Sequence, residues 1–378
     1  MRARLARDFE RFAREWPRDF PGHVREAYGI DLTARYLGEA IPHPVGKGSG
    51  QLSLNEGQLT TDAEAGLAFA VLKTVIAQDE SGAQSMGAWA IHETRMQVER
   101  RTAASGKDGW TITWKGRGWD RTLEEYLALV RAGRDLTRAG RLLVVPSVKY
   151  HLPRLGEPFR DAEYVHTTRA LAEAWHETPL LLEKDFSPTL AGDALADDKA
   201  QILRWLVEVP ARIRAAATGG VRLALKLMNA RFDDEFQLEM MAAASGADAL
   251  VCFNRLFDAE RGVAYGGWDL SDRNLRVLSQ WAPRPRVRPL CGTGNISSGS
   301  VLLDYAKWGC ESVQLHTFFQ LPLEEYSATG GSRTARALHA LYFHPRDGVI
   351  AGLLALERAG TLERRGGELH FLDLVAYH

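Results

Sequence analysis

The sequence predicts an α/β protein built as a (β/α)8 TIM barrel, residues 38–330, with an N-terminal helical arm over 1–37 and a small C-terminal appendage over 331–378. Three observations carry that expectation. Short apolar runs alternate with amphipathic helical patterns, which is how a parallel sheet covered by helices reads. There are eight such runs, and eight units favour a closed barrel over an open sheet. The strongest glycine-rich loop, CGTGNISSG (291–299), follows the seventh run. A doubly wound open sheet would put that loop after its first strand.

In chain order, the arm comes first. In MRARLARDFERFAREWPRDF, Leu5, Phe9, Phe12 and Trp16 recur at helical spacing among arginines and acids. Such a face suits a membrane-surface helix of the kind a quinone-reducing enzyme uses, or a helix that caps the domain or a second subunit. The interleaved acids favour capping. The eight runs are HPVGKGSG (43–50), LAFAVLKTV (67–75), RLLVVPSV (141–148), PLLLEKDFSP (179–188), RLALKLMN (222–229), ADALVCFN (247–254), RPLCGTGN (288–295) and ESVQLHTF (311–318). Helical patterns such as DAEYVHTTRALAEAWHE and DKAQILRWLVEVPARIRAAA lie between them. The gap between the second and third runs is the longest and contains GWTITWKGRGWDRTLEEYL (109–127), rich in Trp, Gly and base; so long a connection on a barrel reads as a lid or binding loop. The appendage, GVIAGLLALERAGTLERRGGELHFLDL (348–374), reads as a helix and a small hairpin around Gly366 and Gly367.

Bulk composition narrows the function classes. Of 378 residues, 45% are hydrophobic and 25% charged, and the formal net charge of -1 gives no electrostatic case for nucleic acid or an anionic membrane. Cys252, Cys291 and Cys310 are too few and scattered for a disulfide framework or an iron–sulfur site, and no metal site is expected. No apolar run is long enough to span a bilayer, and the first residues lack a signal-peptide core. A soluble cytoplasmic protein acting on a small molecule is the expectation.

Barrels of this kind work at the carboxyl ends of their strands, with a phosphate often held after strands seven and eight. Gly292, Thr293, Gly294 and Asn295 fall at the first of those places, His316 and Thr317 at the second. Glycines there let backbone N–H groups approach phosphate oxygens, and Ser297 or Ser298 can cap the next helix, whose dipole favours an anion. Lys73 and Lys226 lie within apolar strands, where a lysine must find an anion, lose its proton, or snorkel outward. Asn254 ends the sixth run and offers donor and acceptor to a flat heterocycle, or starts a turn. Ser187, just before Pro188, is either a plain loop hydroxyl or a proton-transfer group that needs a relay, for which Asp185 is nearest in sequence.

Taken together, PVGKGSG, VLKTV, FSPT, LALKLMN, VCFNRLF, YGGWDLS, CGTGNISSG and VQLHTFF resemble, in order and spacing, the dihydroorotate dehydrogenase family of FMN-containing barrels. The resemblance covers roughly 38–325 and is strongest from Arg222 to Phe319. It implies FMN as cofactor, with Gly48 and Ser49 along the flavin, Lys73 beside flavin and substrate, and Lys226 at the pyrimidine end of the ring. Asn254 corresponds to a substrate-binding asparagine. Gly266, Gly267, Gly292, Gly294 and Thr317 correspond to the phosphate cradle, with Thr293, Asn295 and His316 in the same loops. Ser187 corresponds to the base that takes a proton while the neighbouring carbon gives hydride to the flavin. Barrels of this family often dimerise, and the arm is a candidate contact between copies.

The chain also departs from the family. Where relatives place an asparagine before the lid, this sequence has WKGRG with Trp114, and Lys184 and Thr189 stand near the base where relatives carry asparagines. Losing polar partners for a pyrimidine weakens discrimination by several kcal/mol. The expectation is therefore an FMN-dependent oxidoreductase whose flavin half is retained and whose orotate half is rebuilt. Lys47, Lys115, Arg117, Lys184 and Arg255 are candidates to make its mouth cationic, for a small planar or carboxylated substrate; dihydroorotate, the substrate in pyrimidine metabolism, stays open but is not favoured by the missing asparagines. The alternatives are a non-redox phosphate-binding lyase or isomerase using Lys226 as an amine, and a non-catalytic flavin-binding protein.

Overall fold

The computed structural model describes the chain except residues 91–96, 104, 107, 115–117, 187–197, 231–232, 259–262, 285–287 and 376–378. Eight parallel strands close on themselves. They are Val45–Lys47; Phe69–Val71 continued at Val75–Ile76; Leu143–Val145 continued at Ser147–Lys149; Leu180–Asp185; Val221–Lys226; Ala249–Cys252; Leu290–Thr293; and Cys310–Leu315. Each pairs with its successor. The eighth then pairs with the first, Val313 opposite Val45 and Leu315 opposite Lys47, which completes the barrel. These strands are buried on both faces, as an all-parallel sheet requires, and so read as apolar runs without alternation.

Among the described residues, twelve helices surround or flank the sheet: α1 (Arg2–Phe12), α2 (Phe20–Tyr28), α3 (Glu56–Glu64), α4 (Leu123–Arg138), α5 (Asp161–Trp175), α6 (Lys199–Ala216), α7 (Asp234–Ala243), α8 (Leu270–Trp281), α9 (Gly299–Lys307), α10 (Arg333–Phe343), α11 (Val349–Arg358) and α12 (Phe371–Val375). Side-chain caps start many of them. Asn55, Asp198, Asp233, Ser298 and Ser332 each accept a backbone N–H of the first turn, and Thr122 with Glu125 forms a capping box on α4. Helices α3 to α9 each follow a barrel strand, and α10, at 333–343, follows the eighth and packs against both α9 and α3.

The amino-terminal segment folds back onto that last helix. Leu5 and Phe12 are buried, α1 packs on α10, Phe9 stacks on His339 and Trp16 meets Phe343 edge-on. Ile30–Asp31 pairs in parallel with Leu369–His370 after the chain turns at Gly366 and Gly367, and Arg25 grips Glu368 with two hydrogen bonds of 2.7 and 2.8 Å. Between the arm and the first strand is a hairpin that the sequence did not predict, Ala34–Tyr36 with Glu39–Ile41. Its two-residue turn, Leu37 (φ 51°) and Gly38 (φ 80°), has both residues in the left-handed region, as tight hairpins require. The hairpin plugs the amino end of the barrel. Tyr36 stacks on Phe69 with ring centroids 4.2 Å apart, and Glu39 pairs with Arg222 at the start of the fifth strand.

At the opposite end lies a four-stranded antiparallel sheet, ordered Leu256–Asp258, Val263–Gly267, Asp108–Trp114, Gln97–Thr102. It joins the long connection after strand two to the one after strand six. The stretch expected to form a lid or binding loop is thus half of a sheet over the barrel mouth. Among the described residues, no helix is long and apolar enough to cross a membrane.

Candidate active site at the carboxyl end of the barrel

Two adjoining cavities open at the mouth. The first lies between the lid sheet and the loops after strands seven and eight. Its wall is backbone-rich, with Gly266, Gly267, Gly294, Asn295, Ser297 and Thr317 on it. Two of those glycines are obligatory. Gly267 has φ 90°, and a Cβ there would sit 1.9 Å from the Trp110 carbonyl oxygen; Gly294 has φ 104°, and a Cβ would sit 2.5 Å from Asn274 Nδ2. Asn274, fully buried on α8, holds the loop in place: its Nδ2 lies 3.1 Å from the Phe253 oxygen, 2.7 Å from the Thr293 oxygen and 3.1 Å from the Tyr305 hydroxyl. Ser298 Oγ accepts the Val301 N–H at 3.3 Å and starts α9, whose Ser300 N–H is taken by the Asp347 carbonyl, so the wall itself is the bare backbone of the glycine loops. Bare backbone of this kind suits an anion.

The second cavity shares Asn254, Arg255, Thr293, Gln314 and His316 with the first and extends over the barrel axis. All eight strands or their carboxyl ends contribute: Gly48 and Ser49, Lys73 and Thr74, Lys149, Asp185, Lys226, Asn254 and Arg255, Thr293, and Gln314 with His316. Lys73, Lys149, Lys226 and Arg255 are all buried. Four cations there meet the carboxylates of Asp185 and, one layer deeper, Glu183. Asp185 Oδ2 lies 3.8 Å from Lys149 Nζ and accepts from the Thr74 hydroxyl at 3.4 Å. Thr74 Oγ1 is also 2.7 Å from Ser49 Oγ and 3.0 Å from Ser147 Oγ. Lys226 Nζ lies 3.6 Å from Glu183 Oε1.

Burial lowers the Lys149 amine to about 8, with Asp185 pulling the other way. Burial, reinforced by Lys73, Lys226, Lys47 and Arg255, holds the His316 imidazole well below its ordinary value, so it is neutral at ordinary pH. A Cβ on Gly50 would fall 1.9 Å from His316 Nε2, so the first-strand loop lies directly against that ring.

The residues singled out in the sequence divide between the two cavities. Gly48, Ser49, Lys73, Lys226, Asn254, Thr293 and His316 line the axial one; Gly266, Gly267, Gly294, Asn295 and Thr317 line the other, which Asn254, Thr293 and His316 also border. Gly292 lines neither. A Cβ there would meet the Tyr305 ring at 2.5 Å, so this glycine lets strand seven pack on α9. Ser187 lies outside the described residues, as do Thr189, Lys115 and Arg117. Two residues expected at the mouth turn away from it. Lys47 Nζ is 2.5 Å from Asp62 on α3 and 3.2 Å from Thr334 on α10, and Lys184 Nζ donates to the Asp185 carbonyl at 2.9 Å over the Phe186 ring. Strand pleating explains the second: Glu183 and Asp185 point inward, so Lys184 points to the helices.

Lys149, Thr74, Glu183 and Gln314 were missed. Glu183 carried the signal that marked Lys73 and Lys226, a charge inside an apolar run. Lys149 lies one residue beyond the run that ends at Val148.

No family model matches the chain, and no curated protein matches it. Among solved structures it is similar to the crystal structure of DHODH, dihydroorotate dehydrogenase, from Eimeria tenella in complex with ferulenol. The TM-score is 0.63 at 13% identity, over 99% of this chain and 94% of that one. At that identity the likeness is one of fold.

Proposed function

We propose that the chain is an FMN-dependent oxidoreductase of the dihydroorotate dehydrogenase type, acting on a CH–CH group of a small planar or carboxylated substrate. One observation carries this reading: a glycine-walled anion seat runs without interruption into a polar cavity on the barrel axis, floored by Lys226. The residues suit the cofactor. Gly267 and Gly294 admit no side chain, since a Cβ would collide with the Trp110 carbonyl or Asn274, so the wall there is bare backbone. Gln314 Oε1 is buried without a hydrogen-bond partner, 3.3 Å from where a Gly48 Cβ would be, an acceptor aimed into the cavity. In this reading Gly266, Gly267, Gly294, Asn295 and Thr317 hold the phosphate. Gly48, Ser49 and Lys73 lie along the ring, and Lys226 stands at its pyrimidine end.

Bound FMN supplies a two-electron acceptor for hydride. With FMN held there, the Lys226 ammonium would offset negative charge at the pyrimidine end of the ring, a preorganised stabilisation. On the substrate side, Arg255, Lys149 and Asn254 orient an anionic or carbonyl-bearing group. In this reading Ser187 takes the departing proton, and Asp185, the acid nearest to it in sequence, relays it. The lyase alternative is less well supported, because Lys226 sits in an ion pair with Glu183, whereas a Schiff-base amine must be neutral to attack.

The test is direct. Purified protein should be yellow and release FMN on denaturation, and Lys226→Met should slow flavin reduction by any active substrate at least ~100-fold, in line with the loss of one preorganised stabilising group. Colourless protein that takes up no FMN, or a covalent adduct trapped at Lys226 by borohydride, would sink the reading. Orotate should bind weakly in calorimetry, since the asparagines that recognise it in the family are replaced.

A further inference from the structure

Below the axial cavity the barrel core is polar where barrels are usually filled with branched apolar side chains. Glu183 has no exposed surface. Its Oε2 accepts from Gln314 Nε2 at 2.6 Å and from the Tyr36 hydroxyl at 3.2 Å, and Gln314 Nε2 also donates to Tyr36 at 2.9 Å. Its Oε1 makes no hydrogen bond and faces Lys226 Nζ at 3.6 Å. The groups that touch this carboxylate are two donors and a cation, with the Asp185 carboxylate two residues along the strand. Burial raises Glu183 and Asp185 adds to the rise, while Lys226, Gln314 and Tyr36 oppose it. Charge-assisted contacts of this kind favour the anion. The stack runs unbroken from the hairpin that plugs the amino end, through Tyr36 and Glu183, to the lysine at the working face.

We propose that Glu183 is a positioning residue: it fixes the Lys226 ammonium under the cavity and partly cancels its field, so that the Glu183–Lys226 pair sets the electron affinity of the flavin above it. Tyr36 acts on the same quantity from the far end of the barrel by holding the carboxylate. This assignment rests on the flavin reading above. Neutralising the carboxylate exposes the full charge of Lys226 and makes the cavity more positive, which stabilises an anionic ring and anionic additions to it.

Inorganic sulfite tests this without a substrate, because its addition to flavin strengthens as the ring's surroundings become more positive. With FMN-loaded protein, Glu183→Gln should tighten sulfite binding about tenfold, with a matching rise of about 30 mV in the two-electron midpoint potential. Lys226→Met should shift both in the opposite direction. The double variant should match Lys226→Met alone, because without the lysine the buried glutamate loses its main counter-charge and takes up a proton, which leaves a group glutamine mimics. Tyr36→Phe should move both in the Glu183→Gln direction by about threefold, and it carries the test if Glu183→Gln does not fold. Glu183→Gln and Tyr36→Phe holoproteins with unchanged sulfite affinity and potential overturn the assignment. So does a Glu183→Gln effect that is equally large without Lys226. Wild-type protein that takes up no FMN overturns the flavin reading and this assignment with it.

Discussion

Lys184 shows how much a single buried charge can decide. It is 1% exposed, and burial lowers its amine to about 7 although Asp185 opposes and Lys149 reinforces the shift. The unfolded chain keeps this amine near the ordinary lysine value of about 10.4. Between about 7 and that value the unfolded state binds the extra proton, so stability rises with pH across the window and the cost is complete below it. Lys184→Met is expected to stabilise the protein by about 1–3 kcal/mol at pH 6, as replacements of buried ionic groups by apolar ones often do. The gain should shrink as the pH approaches 10; urea unfolding at the two pH values checks both. A constant gain would mean that packing, not charge, is responsible. The sequence marked Lys73 and Lys226 correctly as lysines inside apolar strands. It could not say that Lys47 is taken up by Asp62, fifteen residues on, because that contact depends on how α3 leans on the first strand.

The lid sheet and the plug hairpin were the elements hardest to read locally. The hairpin strands are three residues each, too short for alternation to register, and their pairing rests on a turn at Leu37 and Gly38. The lid joins segments more than 140 residues apart, Gly267 opposite Thr111 and Ala264 opposite Trp114, and no local pattern encodes such a pairing. Gly267 is where that sheet meets the anion seat. Gly267→Ala is expected to weaken FMN binding at least ~10-fold, since the added Cβ collides with backbone and the left-handed φ is strained at a cost of about 1–3 kcal/mol. The barrel's melting temperature should fall only slightly, because the lid is outside the closed sheet. Flavin fluorescence titration and thermal unfolding on one sample separate the effects; a barrel that melts with the lid would refute the separation.

Across the whole molecule, both ends of the chain are part of one packed body. The apolar face of α1 lies on α10, and the Ile30–Asp31 and Leu369–His370 strands lie side by side. Phe12→Ala should destabilise the entire protein by about 3–5 kcal/mol, the usual cost of emptying a buried aromatic site. Unfolding should stay a single transition, which denaturation followed by fluorescence and circular dichroism together can check. An early, separate transition would show that the arm is an independent unit. The sequence by itself determined the count and order of the eight strands and the glycine-rich loop after the seventh, and it marked Lys226 inside the sheet while missing Lys149. Those features are written in local periodicity and in residues that fit few backbone shapes. Only the tertiary structure decided that Asp185 and Lys149 share the cavity with Glu183 beneath it, that Gly292 serves packing, and that Tyr36 reaches Glu183 from the far end. Closing the barrel brings Tyr36, Glu183, Lys226 and Gln314 together across nearly three hundred residues, and the inward or outward sense of each strand follows from that closure.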